Sequence, residues 1–232
     1  MRLDKYLVHT NTCTRSEARN LIRSGRLLVN GAPPKAPDLK INEGLDLVTL
    51  DGREIKYEEY SYYMLNKPAG IVSACEDKRE GTVMDFFKNE PCKGLFPVGR
   101  LDKDTVGLLL ITNDGDLAHR MLAPNKHVWK TYYTELESPL SDGDLEKLKN
   151  GVDIGDETPT LPSRPEFAGE SRDKVFLSIH EGRFHQVKRM FEAVNNKVVY
   201  LKRVTFGPLK LDETLKEGSF RKLTEEELET LK

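Results

Sequence analysis

LFPVGRLDKDTVGLLLITNDG, residues 95 to 115, wedges a polar cluster between two apolar stretches. The apolar run that follows the cluster reads as a strand over 108 to 112, with Arg100, Asp102, Lys103 and Asp104 ahead of it. Charged residues in such a place need a reason. They can pair with one another as a surface turn. Alternatively, a carboxylate held at a strand end inside a cleft can act as a nucleophile or a proton-transfer group. Spacing alone leaves both readings open.

Working outward, further strands are expected near 62 to 66, 130 to 137, 175 to 180 and 198 to 206, and helices over 82 to 88, 116 to 122, 142 to 150 and 187 to 194. Strands and helices do not interleave regularly, so the reading is α+β with a mixed, mainly antiparallel sheet rather than a doubly wound one. EEYS at 58 to 61 reads as a linker, which divides the chain into a small domain, 1–58, and a larger one, 61–232.

The small domain is marked by its own patterns. Leu3, Tyr6 and Leu7 fall on one helical face, and Thr14 with Glu17 forms a capping box for a second helix with Ala18, Leu21 and Ile22 inward and Gly25 as its stop. LLVNG at 27 to 31 and LDLVTLDGREI at 45 to 55 read as strands entering Asn-Gly and Asp-Gly turns. Arg15, Arg19 and Arg23 recur every four residues and project from one side, with Arg26 just beyond. Such a row can bridge successive phosphates or can be a solvated helix face.

Composition bounds the rest. The 232 residues carry net charge -2, but residues 1 to 40 hold eight basic residues, Arg2 and Lys5 among them, against three acidic ones, a local +5. No apolar run approaches the roughly 18 residues that span a bilayer, and the first residues lack an export signal, so a cytoplasmic protein with no membrane partner is expected. Cys13, Cys75 and Cys92 show no CxxC spacing, which argues against a disulfide framework or zinc knuckle. His180 and His185 make a weak metal pair, and no metal is expected. Nothing argues for an oligomer, so a monomer is expected.

TRSEARNLIRSGRLLVNG, within residues 1 to about 50, resembles the S4 RNA-binding domain. GRLDKDTVGLLLITNDG resembles the catalytic motif of the RsuA-type pseudouridine synthases. LNKPAG at 65 to 70 precedes it, and WKTYYTELESP at 129 to 139 and EGRFHQVKRMFEAV at 181 to 194 follow in the family's order. The resemblance implies a catalytic Asp102, a Tyr132 that stacks on the target uracil, and a Lys188 that pairs with Asp102. It implies that Arg100 fills the gap left by an extruded base, that Arg183 also touches RNA, and that Arg2, Lys5, Arg15, Arg19, Arg23 and Arg26 hold RNA from the S4-like domain. It implies no cofactor, since the reaction moves the sugar from N1 to C5 of uracil without net redox change. A cation beside the carboxylate favours its ionised form. Lys67-Pro68 with Gly70 reads as a rigid turn shaping the cleft.

Large-subunit members carry an NREVRR-like string and longer tails. HQVKRM, followed by a short tail, resembles the small-subunit type, which modifies one uridine of 16S rRNA (the U516-type site), with an assembling small subunit as the expected partner. The rivals are a 23S rRNA enzyme, a non-catalytic ribosome-assembly factor, and a glycosidase built on Asp102 and Asp104. Two residues apart on an extended segment, those two carboxylates would face opposite ways, against the last of these.

Overall fold

The computed structural model describes residues 1–10, 12–90 and 92–231. Contacts divide the chain into two compact units, one of Met1–Ser61 with Phe87–Leu95 and one of Tyr62–Phe86 with the chain from Phe96 on. The linker at 58 to 61 marks a single boundary, between 1–58 and 61–232. Phe87–Leu95 instead groups with the N-terminal residues, where the Cys13 thiol, pushed up by burial and Glu17, senses the opposing charge of Lys93.

In the first unit, α1 (Leu3–His9) and α2 (Arg15–Arg23) accompany a small antiparallel sheet of β1 (Leu27–Val29), β2 (Val48–Leu50) and β3 (Arg53–Glu54). Leu3, Tyr6, Leu7, Ala18, Ile22, Leu27 and Val48 share its core. The Thr14 amide donates to the Glu17 carboxylate at 2.8 Å and the Glu17 amide to Thr14 Oγ1 at 3.4 Å, a capping box that contributes about 1 kcal/mol. Asn30 and Gly31, like Asp51 and Gly52, take positive φ at consecutive positions, as a turn matched to strand twist requires.

The second unit is built on β4 (Tyr62–Lys67), β5 (Phe96–Pro97), β6 (Val106–Thr112), α3 (Gly115–Leu122), β7 (Lys130–Leu136), α4 (Asp142–Asn150), β8 (Arg164–Phe167), β9 (Lys174–Ile179), α5 (Gln186–Glu192), β10 (Val198–Phe206), β11 (Leu209–Lys210), β12 (Phe220–Lys222) and α6 (Glu225–Thr230). Its main sheet runs β12-β4-β6-β10-β7-β9-β8, and β6 with β10 is the parallel pair in an otherwise antiparallel ladder. Every residue of β6 is buried, which explains its unbroken apolar run. At Gly107, φ is +102° and a Cβ would stand 2.3 Å from the Arg203 carbonyl oxygen, so glycine lets β6 and β10 approach. The helix expected over 82 to 88 is instead a 3-10 turn, Val83–Phe87, with i to i+3 bonds such as Asp85 N–H to Thr82 O at 3.0 Å. Five residues are too few to repay α-helix nucleation. No helix among the described residues is long and apolar enough to cross a membrane.

Candidate active site

The polar cluster of residues 100 to 104 lies on the loop that enters β6, and its backbone is fixed from below. Lys67, at the end of β4, is fully buried, and its Nζ donates to the carbonyls of Pro68, Asp102, Lys103 and Thr105 at 2.9 to 3.2 Å. The Gly70 amide donates to Lys103 O at 2.8 Å. Ser73 Oγ donates to Leu101 O at 3.0 Å and accepts from Leu101 N–H at 3.1 Å. The Thr105 amide closes a turn onto Asp102 O at 3.1 Å. Burial pushes the Lys67 amine down to about 8, against the pull of Asp104 and Asp102. Sequence reading saw a rigid turn at Lys67-Pro68 and missed the ammonium as a backbone clamp. The available signal was a lysine ending an apolar strand.

Above this loop stands α5. Lys188 Nζ lies 3.3 Å from Asp102 Oδ2 and 2.6 Å from Asp104 Oδ1. The expectation that Asp102 and Asp104 face opposite ways therefore fails. The segment is a turn rather than a strand, and both carboxylates converge on one ammonium. Burial opposes the Lys188 charge, but bonding to Asp104 and the field of Asp102 hold its pKa above the usual lysine value. Burial likewise opposes the Asp104 charge, and Lys188 more than offsets it, leaving that carboxyl below its ordinary range. His185, the residue before α5, has φ +48° and sets Nε2 3.6 Å from Asp102 Oδ1, while its ring stacks on exposed Phe184 at 3.8 Å.

Asp102, His185 and Lys188 open on a cleft of about 840 Å³. Tyr132 forms part of its wall and is 8% exposed, whereas the next residue, Tyr133, turns to the other face and donates to Glu135 at 2.8 Å. Arg100 is exposed at the cleft margin. Arg183, expected to touch RNA, is engaged with the chain itself. It donates to Thr158 O at 2.6 Å, Pro159 O at 2.9 Å and Glu181 at 3.0 Å, and it lines the cleft. His180 sits 3.1 Å from His127 through their Nδ1 atoms. Among the described residues no three His, Cys, Asp or Glu side chains gather as a metal-holding group.

On the first unit, the cationic residues divide. Arg2 bonds Asp4 at 3.0 and 2.7 Å, and Arg26 grips both carboxylate oxygens of Asp51. Arg15, Arg19, Arg23 and Lys5 are exposed, and among the described residues none of them makes an ion pair.

A small helix-and-sheet unit with a basic helix face, joined to a mixed sheet whose cleft holds a lysine-paired aspartate and a tyrosine wall, defines an RNA-modifying enzyme class. The family model for RNA pseudouridylate synthase matches residues 61–193, and that for the S4 domain matches residues 1–47. An uncharacterized RNA pseudouridine synthase of Bacillus subtilis is 44% identical, covering 100% of this chain and 98% of the relative. Ribosomal small subunit pseudouridine synthase A of Vibrio parahaemolyticus is 40% identical over 100% and 99%, and ribosomal large subunit pseudouridine synthase B of Bacillus subtilis 37% over 100% and 95%. A solved pseudouridylate synthase superposes with TM-score 0.70 at 38% identity, covering 100% of both chains. The chain belongs to the RNA pseudouridine synthase family, with an S4 domain at its N-terminal end, and is an isomerase.

Proposed function

We propose that this enzyme converts a single uridine of small-subunit 16S rRNA, presented in an assembling subunit, to pseudouridine. Asp102 is the reactive carboxylate, Lys188 its counter-ion, Tyr132 the ring that receives the extruded uracil, and Arg100 the side chain that fills the vacated stack. The observation that carries this reading is the meeting of Asp102 with Lys188 at 3.3 Å, from segments distant in the chain, on a cleft walled by Tyr132. A nucleotide inside a helix hides C1′ and C5, so it must be flipped out at about a few kcal/mol, and an aromatic wall returns part of that by stacking. The lysine offsets the penalty of holding a carboxylate away from bulk water. Arg15, Arg19, Arg23 and Lys5, which make no ion pair among the described residues, hold the RNA through its phosphates. The ribosomal target is suggested by the small-subunit relative, 40% identical against 37% for the large-subunit one, and by the HQVKRM string.

Purified enzyme is to be incubated with small-subunit and large-subunit rRNA transcripts and with assembly intermediates, and the pseudouridines mapped. One new site in the small-subunit RNA is expected, with Asp102→Asn slowing its formation at least about 10⁴-fold while RNA affinity stays within about twofold. Modification of large-subunit RNA alone overturns the target. Equal behaviour of wild type and Asp102→Asn overturns the catalytic assignment.

A further inference from the structure

The cleft wall behind Tyr132 contains two positive charges that have no carboxylate partner among the described residues. Arg203 of β10 is 2% exposed and lines the cleft. Its Nε donates to Leu108 O at 2.8 Å, and its Nη2 has no hydrogen-bond partner. Lys130 lies on the same face of β7 as Tyr132, two residues earlier, and also lines the cleft. Its Nζ donates to Val128 O at 3.0 Å. Register places Arg203 opposite Tyr132 and Lys130 opposite Phe206, and both cations lie against the Phe206 ring, at 4.8 and 5.6 Å from its centroid. Among the described residues no carboxylate stands within ion-pair reach of either.

A buried cation without an anion costs several kcal/mol, and a guanidinium cannot escape by losing its proton. Lys130 registers that cost: burial, and then the charge of Arg203, pushes its amine down to about 8. Fixed charge that is unfavourable in the free protein becomes favourable when negative charge arrives beside it, which is how a preorganised site stabilises a developing anion. The depth of Arg203 suits a base swung into the cleft better than a phosphate, which keeps to the solvated margin.

We propose that Lys130 and Arg203 form an anion-accepting wall whose occupant is the detached pyrimidine ring, Lys130 touching the ring and Arg203 supplying a fixed charge behind it. The inference rests on the reaction proposed above. When the N1–C1′ bond breaks, its electron pair stays with the ring and spreads over N1 and the two carbonyl oxygens. Asp102 gives a pair to C1′ as that bond breaks. The ring turns, C5 donates a pair to C1′ while the C1′–O bond returns its pair to the Asp102 carboxylate, the C5 proton leaves, and N1 gains one, so atoms and electrons balance. If the carboxylate instead adds to the ring first, negative charge again rests on a ring carbonyl oxygen. Either route places an anion beside Tyr132.

The test compares two small pyrimidines on the full-length wild-type protein by calorimetry at neutral pH: uracil, which is neutral, and 5-nitrouracil, which is an anion. Wild type is expected to bind 5-nitrouracil at least about tenfold more tightly, Lys130→Met to reduce the preference below about twofold, and Lys130→Arg to keep it. Lys130→Met should also slow pseudouridine formation about 10²-fold with RNA affinity unchanged. Equal wild-type affinity for the two pyrimidines overturns the proposal without needing any variant to fold. Displacement of 5-nitrouracil by inorganic phosphate also overturns it, since the occupant would then be a backbone phosphate. A preference for the anionic pyrimidine in a protein that forms no pseudouridine would uphold the wall and overturn the reaction.

Discussion

Two regions of this enzyme, the outer face of α2 and the surroundings of the Asp102 loop, treat positive charge in opposite ways. On α2, Arg15, Arg19 and Arg23 extend into solvent with no ion pair among the described residues. Around the cleft, Lys67 is held by four carbonyls, Lys188 by two carboxylates, and Arg183 by Glu181 and two carbonyls of the 158 to 159 segment. Exposed, unpinned charges suit a surface that must find a polyanion by its backbone, because each neutralised phosphate releases counter-ions wherever the contact forms. Pinned charges suit chemistry, where a group misplaced by about 1 Å forfeits much of its rate. The difference teaches that cation count says little about role, and that the partner of each cation says a great deal.

The most severe way to break this contrast is to remove the clamp. Lys67→Met deletes a buried ammonium, takes from the Thr105 carbonyl the donor it has in Lys67, and strips Asp102 O and Lys103 O of one of their two donors, the Thr105 and Gly70 amides remaining. Unfolding free energy is expected to fall by about 2–4 kcal/mol, since buried acceptors left unmade cost about 1–3 kcal/mol each and part of the loop can turn to water. In the fraction that remains folded, the Asp102 loop loses its position, and turnover is expected to drop about 10²-fold with RNA affinity unchanged. Denaturant titration with single-turnover assays below the unfolding transition separates the two effects. Full specific activity in the folded fraction would show that Lys67 only stabilises.

The first unit gives the complementary result. Replacing Arg15, Arg19 and Arg23 with glutamine should weaken RNA binding about tenfold or more and flatten the slope of log affinity against log salt by about 2. Turnover of bound substrate should be nearly unchanged, as measured by filter binding across salt and by single-turnover kinetics at saturating enzyme. Arg2→Gln and Arg26→Gln should do less, because Asp4 and Asp51 already engage those guanidinium groups. If all five arginines contribute equally, pairing does not predict role.

How much of this was legible in the sequence depends on the range of the forces involved. Local signals carried the first unit. The Thr14-Glu17 box and the Asn30-Gly31 and Asp51-Gly52 turns are decided by neighbours, and all take the expected form. In the second unit the long strands were readable from apolar runs, but β5, β8, β11 and β12 are two to four residues long and exist because a neighbouring strand pairs with them. Asp102, Tyr132 and Lys188 came from motif resemblance. That Asp104 shares Lys188 did not, because a turn of the loop, invisible to strand alternation, brings it round. Arg203 was missed although alternation pointed to it: Leu201 and Arg203 fall on the same buried side of β10, and a charge there needs a purpose.

A third arrangement of charge offers the smallest and sharpest test, because it is pinned yet lies outside the cleft lining. Arg221 of β12 donates to Asp212 at 2.7 Å and to both oxygens of Glu227 on α6 at 2.8 Å. Hydrogen bonds from Thr214 and then Arg221 hold the Asp212 carboxyl down to about 2, against an ordinary 3.8, and Arg221 also lowers Glu227. A carboxyl whose folded value lies below its unfolded one contributes stability that is fully present above the unfolded value and is lost as the pH falls through the folded one. The stability difference between wild type and Asp212→Asn should therefore be constant above about pH 5 and shrink as the pH falls from about 4 to about 2, as followed by urea unfolding midpoints. Pseudouridine formation at neutral pH should be the same in both proteins. If Asp212→Asn slowed the reaction while leaving the fold intact, pinning anywhere in the second unit would matter, and the special standing of the cations that hold the Asp102 loop would be lost.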